Sequence, residues 1–292
     1  MPSLKEVKTR INSVTSTRKI TSAMKLVASS KLHKAQMAIE SMLPYERQLN
    51  GMMSRFVGEM QGEISSPYAS RRKGGKAVIV AYSSNSSLCG AFNANVIKEM
   101  QRTVDTMESE GFAEVEIIPI GVKVAEKAKK LGFAFESNNS QFLDKPNYGE
   151  VSQLAAGLMQ RFVEKEIDKV VIIYNHFKNT ASQILTNETF LPIDLSRSAD
   201  NTKPADGMAL DYIIEPSQEE IVNQLVPRVL HLKLYTALLD SLASEHAARV
   251  VAMQVATDNA DELLGELTLM YNKTRQAAIT SELLDIVGAS FQ

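Results

Sequence analysis

PRVLHLKLYTALLDSLASEHAARVVAMQVATDNADELLGELTLMYNKTRQAAITSELLDIV, residues 227–287, holds no proline after Pro227 and a single glycine, Gly265. Stepping through this region by alternating threes and fours, starting just before it, gives Leu225, Val229, Leu232, Thr236, Leu239, Ala243, His246, Val250, Met253, Thr257, Ala260, Leu264, Leu267, Tyr271, Thr274 and Ala278. A 3.5-residue spacing keeps one seam turned toward a partner helix, the pattern of a coiled coil. A helix of this length spans roughly 90 Å, more than a domain of ordinary size is wide. The seam therefore predicts a helix that projects out of its own domain.

The partner can come from the same chain. Ser3 to Leu43 again lacks glycine and proline, with Ser3 placed to cap the start and Glu6 three residues on to close a capping box. Leu4, Val7, Ile11 and Val14 begin a matching seam, which weakens through the mixed polar stretch Thr17 to Lys25. Helical character resumes through Ala35, Met42, Leu49, Met52 and Phe56, with a bend expected at Pro44. Two long helices at opposite ends of one chain are expected to pair antiparallel.

Between them the texture changes. Ser65-Ser66-Pro67 and Arg71 to Gly75 read as a linker. Lys76–Tyr82 and Val170–Tyr174 are short apolar runs that predict buried strands, and Val115–Ile120 predicts another. Helices are expected over 91–109, 123–131 and 149–165, a hairpin return over Ser182–Pro192, and a loop over 194–208. Strands alternating with helices indicate a parallel sheet. The fold expected is α/β: an antiparallel two-helix coiled coil of N- and C-terminal helices with a central Rossmann-like domain. The domains expected are 1–60, 76–207 and 212–292, with Pro227 either kinking the last helix or marking its restart.

Composition and motifs exclude more than they propose. The 32 basic and 34 acidic residues leave no overall basic footprint for nucleic acid. The one cysteine, Cys89, rules out an internal disulfide framework and fits a reducing compartment. No apolar run approaches the length needed to cross a bilayer, and the start lacks an apolar signal region, so the chain reads as soluble, with any membrane association made through partners. The turn after the first strand, Ser83 to Gly90, holds one glycine where a dinucleotide fingerprint needs three, and no phosphate-binding Gly-Lys-Ser/Thr loop occurs. Cys89 has no histidine near it, there is no Gly-x-Ser-x-Gly elbow, and His33, His176, His231 and His246 are scattered. No cofactor, metal or catalytic centre is expected.

Two features point instead to protein partners. Residues 1–40 carry eight basic residues against Glu6 and Glu40, interleaved with Ser, Thr and Ala, opposite an alanine-rich stretch at Ala243, Ala247, Ala248, Ala252 and Ala256. The C-terminal end turns apolar through Ile279, Leu283, Leu284, Ile286 and Val287, a surface of the kind that marks an interaction site. A thin coil with a basic surface suits insertion into a ring of protein.

The motifs carry a resemblance. Leu4 to Ile11 and Lys19 to Ala28, Ser244 to Arg249 with Ala252-Met253, Ala256 to Ala260, and Tyr271 to Thr280 with Glu282 are similar to the signatures of the ATP synthase gamma-subunit family at both chain ends. The middle agrees in Leu88-Cys89-Gly90 with Phe92-Asn93, and departs where the family usually has Asp and Gly, here Asn85 and Ser87. The resemblance implies the non-catalytic rotor shaft of a proton-translocating F-type synthase. It would couple proton flow to ATP synthesis or hydrolysis, seated peripherally on the cytoplasmic face of a bacterial inner membrane. The implied partners are three alpha and three beta subunits around the shaft, the epsilon subunit and the membrane c-ring, with no cofactor. By position, Met24, Lys25 and Arg249 match shaft residues that bear on the beta subunits' moving lever. Arg275, Gln276, Thr280 and Glu282 match the upper contact and bearing region, and Tyr212 and Glu215 match the foot near epsilon and the c-ring. Two other readings stay open on the residues alone: an α/β enzyme with a coiled-coil arm, which the missing glycine fingerprint disfavours, and a purely structural coil.

Overall fold

Both ends of the chain fold into uninterrupted helices. In the computed structural model, which describes residues 3–59, 66–72, 74–133, 135, 139–193 and 218–290, α1 runs Leu4–Glu59 and α6 runs Gln218–Ser290. Ser3 caps α1 as its sequence suggests, its Oγ accepting from the Glu6 amide at 3.2 Å, while the Glu6 carboxylate pairs with Arg10 one turn on. Each helix continues through its proline, Pro44 in α1 and Pro227 in α6, so Pro227 does not restart the last helix. The chain divides into two compact units, Lys31–Ala248 and a second made of Met1–Ser30 with Arg249–Gln292.

The larger unit is built on a four-stranded sheet in the order β2-β1-β3-β4. Its strands are β1 (Lys76–Tyr82), β2 (Glu114–Ile120), β3 (Lys169–Asn179) and β4 (Ser182–Leu191). β1 pairs in parallel with β2 and β3, as the strand-helix alternation predicts, and β4 returns antiparallel along β3 through a tight turn at 180–181. β3 is longer than its apolar run because the hairpin extends it into polar sequence.

β1 is central, and both its faces are covered. Val78, Val80 and Tyr82 pack with β3's Val170 and Ile172, with α5 (Tyr148–Val163) and with α6 residues Val226 to Leu242. Ala77, Ile79 and Ala81 pack on the other face with α2 (Phe92–Ser109) and α3 (Val122–Lys130). A strand buried on both sides has no polar alternation to show, which is why KAVIVAY is apolar throughout. A short helix α4 (Gln141–Asp144), which the sequence pattern does not mark, precedes α5. The Tyr82 hydroxyl donates to the Leu234 carbonyl at 2.9 Å, tying strand to helix inside the core.

In the smaller unit the seam is unbroken. From Leu4 to Arg18 the residues of α1 that escape full exposure are Leu4, Val7, Ile11, Val14, Thr15 and Arg18, and Thr21, Lys25 and Ala28 continue the same step. The expected weakening between Thr17 and Lys25 is a change of chemistry rather than of geometry. On α6 the match is closer: between Thr257 and Thr280 only Thr257, Ala260, Leu264, Leu267, Tyr271 and Thr274 are not exposed. Each is a residue that the 3.5-residue step selects.

Candidate functional site

The described residues of the α/β unit hold no assembled catalytic constellation, and the turn that most resembles a ligand loop is occupied by its own side chains. Asn85 accepts from the Val122 amide at 3.3 Å and donates to the Ser140 carbonyl at 3.0 Å, bridging the start of α3 to the segment before α4. Ser83 Oγ accepts from Val124 N at 3.0 Å, and Asn93 Oδ1 accepts from Ser84 N at 3.0 Å. Asn93 Nδ2 donates to Cys89 Sγ at 3.1 Å, and the thiol is buried. Gly121 opens α3 at φ +112, where an added Cβ would stand 2.5 Å from the Ser83 carbonyl oxygen. Glycine is required there to bring two backbone segments together. The departure at Asn85 is thus absorbed as a structural bridge.

The coil presents a different arrangement. Three successive layers of its seam are polar across the two helices. Arg18 donates to Asp261 Oδ1 at 2.7 Å. The hydroxyls of Thr21 and Thr257 lie 2.8 Å apart, and Lys25 Nζ donates to Gln254 Oε1 at 2.7 Å. As the α1 number rises its α6 partner falls, so the helices run antiparallel, as expected. In the larger unit the same two helices meet through one leucine and three alanines, Leu32 and Ala35 against Ala243 and Ala247. Alanines at such a contact leave room for the helix backbones to approach closely.

Apolar side chains that the seam does not use remain on the outside. Ile20, Leu26 and Val27 on α1 and Val251 and Val255 on α6 are exposed, Leu26 by 66 %. Past Thr274, where seam burial ends, every residue from Arg275 to Val287 is exposed. This run includes Ile279, Leu283, Leu284, Ile286 and Val287. A helix this apolar with no covering face is not how a chain finishes a core of its own.

The residues marked by resemblance fall into three groups. Arg275, Gln276, Thr280 and Glu282 all lie on the exposed run, with Thr280 Oγ1 bonded back to the Gln276 carbonyl at 2.9 Å. Met24 is half-buried, Lys25 sits in the seam on Gln254, and Arg249 is only 8 % exposed. Tyr212 and Glu215, together with the expected loop over 194–208, lie outside the described residues. Sequence reasoning missed the polar layers, although Arg18, Thr21 and Lys25 stand at seam spacing from Val14. Extending the 3.5-residue step through polar residues would have found them.

Comparison with known proteins bears on this geometry directly. A family model described as ATP synthase matches residues 3–290. The ATP synthase gamma chain of Phocaeicola vulgatus is 54 % identical over 290 residues, covering 99 % of both chains. That of Bacteroides thetaiotaomicron is 56 % identical over 299 residues and covers each chain fully. Among solved structures, a chain of the Euglena gracilis mitochondrial ATP synthase, in its OSCP/F1/c-ring assembly, superposes with a TM-score of 0.62 at 20 % identity. That match covers 99 % of this chain and 93 % of the other. A chain from the central stalk and c-ring of the Tetrahymena thermophila enzyme gives 0.56 at 21 % identity, over 81 % of this chain and 99 % of the other. The structures speak for the fold, and the full-length curated relatives carry the assignment: the chain belongs to the ATP synthase gamma-chain family.

Proposed function

We propose that the chain is the central rotor shaft of an F-type ATP synthase, coupling proton flow through a membrane ring to ATP synthesis or hydrolysis in a surrounding ring of alpha and beta subunits. The observation that carries this reading is the run from Arg275 to Val287, an exposed helix rich in apolar residues that continues past the end of its seam. Such a surface marks a site where a partner docks. Three alpha and three beta subunits supply that cover. The α/β unit meets epsilon and the c-ring, and attachment at the cytoplasmic face of a bacterial inner membrane runs through them. Among the described residues no helix is long and apolar enough to cross a membrane, which fits attachment through partners.

The chain itself performs no chemistry in this scheme. An antiparallel pair of unlike helices is asymmetric around its axis, so each of three surrounding sites meets a different face. A site's open or closed state is biased by the difference in its contacts with that face, and turning the shaft moves the bias from site to site. Met24 and the exposed apolar residues beside it offer the bearing surface on α1. A carboxylate of a beta subunit would compete with Gln254 for the Lys25 ammonium, and Arg249 contributes from within the coil. Arg275, Gln276, Thr280 and Glu282 form the upper contact, and Tyr212 and Glu215 the foot.

The test is assembly followed by motion. Purified with alpha and beta subunits, the chain should be recovered at one copy per three of each, and a probe fixed to its exposed Lys98 should rotate when ATP is supplied. Recovery in any other ratio, or ATP hydrolysis with a stationary probe, would overturn the reading.

A further inference from the structure

Four elements of the α/β unit bring ionisable side chains to one place. His176 Nδ1 of β3 lies 2.7 Å from Asp240 Oδ2 of α6. Lys233 Nζ of α6 lies 3.1 Å from Glu188 Oε2 of β4 and donates to the Thr189 carbonyl at 3.5 Å. Tyr174 of β3 bonds to Glu188 through its side chain, and the Phe177 amide donates to Asp240. From α1, Glu46 faces the same groove, with Glu40 and Arg47 further along it. Among the described residues no cation stands within ion-pair distance of Glu46.

We propose that Glu46, Tyr174, His176, Glu188, Lys233 and Asp240 form a proton-operated catch that binds the β3–β4 hairpin to α1 and α6 and tightens on acidification. Three carboxylates share one lysine and one histidine, so the fully ionised cluster carries excess negative charge in a partly buried setting. A proton on Glu46, which has no ion-pair partner among the described residues, removes part of that repulsion. Beside the cluster, Asn175 Nδ2 and Ser241 Oγ are buried and have no hydrogen-bond partner among the described residues, while Ser244 Oγ donates to the Asn175 carbonyl at 2.9 Å. Polar groups of the strand and helix thus lie at the edge of the apolar contact that Tyr174 makes with the core and Phe177 makes with Ala243 and Ala247.

The direction follows from the carboxyls. Burial, then Asp240 and Glu188, raise Glu46 above the usual carboxylate range against the smaller pull of His176 and Lys233. Burial likewise raises Asp240 despite its bond to His176. A carboxyl raised in the folded state contributes stability that is fully present below its ordinary range and is lost as pH rises through the raised value.

Hydrogen exchange of the full chain reads this locally. From about pH 5 to about pH 8, protection of the amides from Tyr174 to Thr189 should fall by about threefold or more once the intrinsic pH dependence is removed. Glu46→Gln and Asp240→Asn should each flatten that fall and leave the β1 amides unchanged. In the native chain, the Glu46 carboxyl carbon followed by NMR should titrate above the ordinary glutamate range. Flat protection in the native chain, or an undiminished fall in both variants, would overturn the proposal.

Discussion

β1 and the tip of α6 bury their residues by opposite rules. All six residues from Ala77 to Tyr82 are fully covered, because helices close both faces of the strand from within the chain. From Thr257 to Thr274, six of eighteen α6 residues escape full exposure, and beyond that none does up to Val287. The sheet unit completes its own core. The two-helix unit completes only a seam and leaves its remaining surface for something else to meet. Stability and partner contact are thereby carried by different residues, and the two can be altered separately.

The largest test of that division is a pair of truncations. Ile79→Ala opens a cavity in a core with no exposed side and should cost about 3 to 4 kcal/mol, lowering the urea midpoint of the unit sharply. Leu267→Ala removes a side chain that is 6 % exposed but has solvent on both flanks, where the helices can close over the gap. It should cost about 2 kcal/mol, the low end for a buried leucine. Equal costs measured by far-ultraviolet circular dichroism would mean that the coil is packed as tightly as the sheet.

The same contrast decides what the sequence makes legible. Positions whose burial is dictated by period are readable without a structure: the α6 seam from Thr257 to Thr274 and the continuous apolar run of β1 needed only counting. The β3–β4 return was readable from the turn after Lys178-Asn179. Readability fails where a tertiary partner changes the meaning of a residue. Arg18, Thr21 and Lys25 look like a surface stretch because each is polar, yet each faces a polar residue of the other helix. Lys25 shows the limit most plainly, since its match to a partner-facing position carried no information about Gln254. The cluster around Glu46 was hidden for a related reason: its members come from four elements spread over nearly two hundred residues.

A smaller effect lies at the sheet edge. Arg161 holds Glu116 with two nitrogens, at 3.3 and 2.7 Å, and Lys76 adds a third contact at 3.1 Å. Burial alone would raise Glu116, but Arg161 and Lys76 together bring it below the ordinary range. A depressed carboxyl stabilises fully above its ordinary range and loses that contribution as pH falls through the lowered value. Glu116→Gln should therefore cost about 1.5 kcal/mol near neutral pH. The gap between native and variant should close in acid, measured as the difference in their denaturant midpoints. A gap that stays constant down to strong acid would show that shape, and not charge, holds the site.

The smallest effect belongs to the coil. Arg18 and Asp261 are 41 % and 52 % exposed, so water and salt already screen their attraction. A double-mutant cycle of Arg18→Met and Asp261→Asn should give a coupling of about 0.5 kcal/mol that fades at high salt. The next layer should behave differently. The bond between Thr21 and Thr257 is neutral and better buried, so the Thr21→Val and Thr257→Val cycle should give a coupling of similar size that salt leaves alone. These variants probe whether polar seam layers hold the coil together or merely satisfy groups that the helices force into contact. If either coupling exceeded about 2 kcal/mol, the seam would be a source of stability comparable to a core side chain. The separation between a self-sufficient sheet and a coil that relies on its surroundings would then fail at Arg18 or at Thr21. A weak coupling in both layers, with the Ile79→Ala cost intact, locates the chain's own stability in the sheet and leaves the tip's outward surface free to be shaped by what it touches.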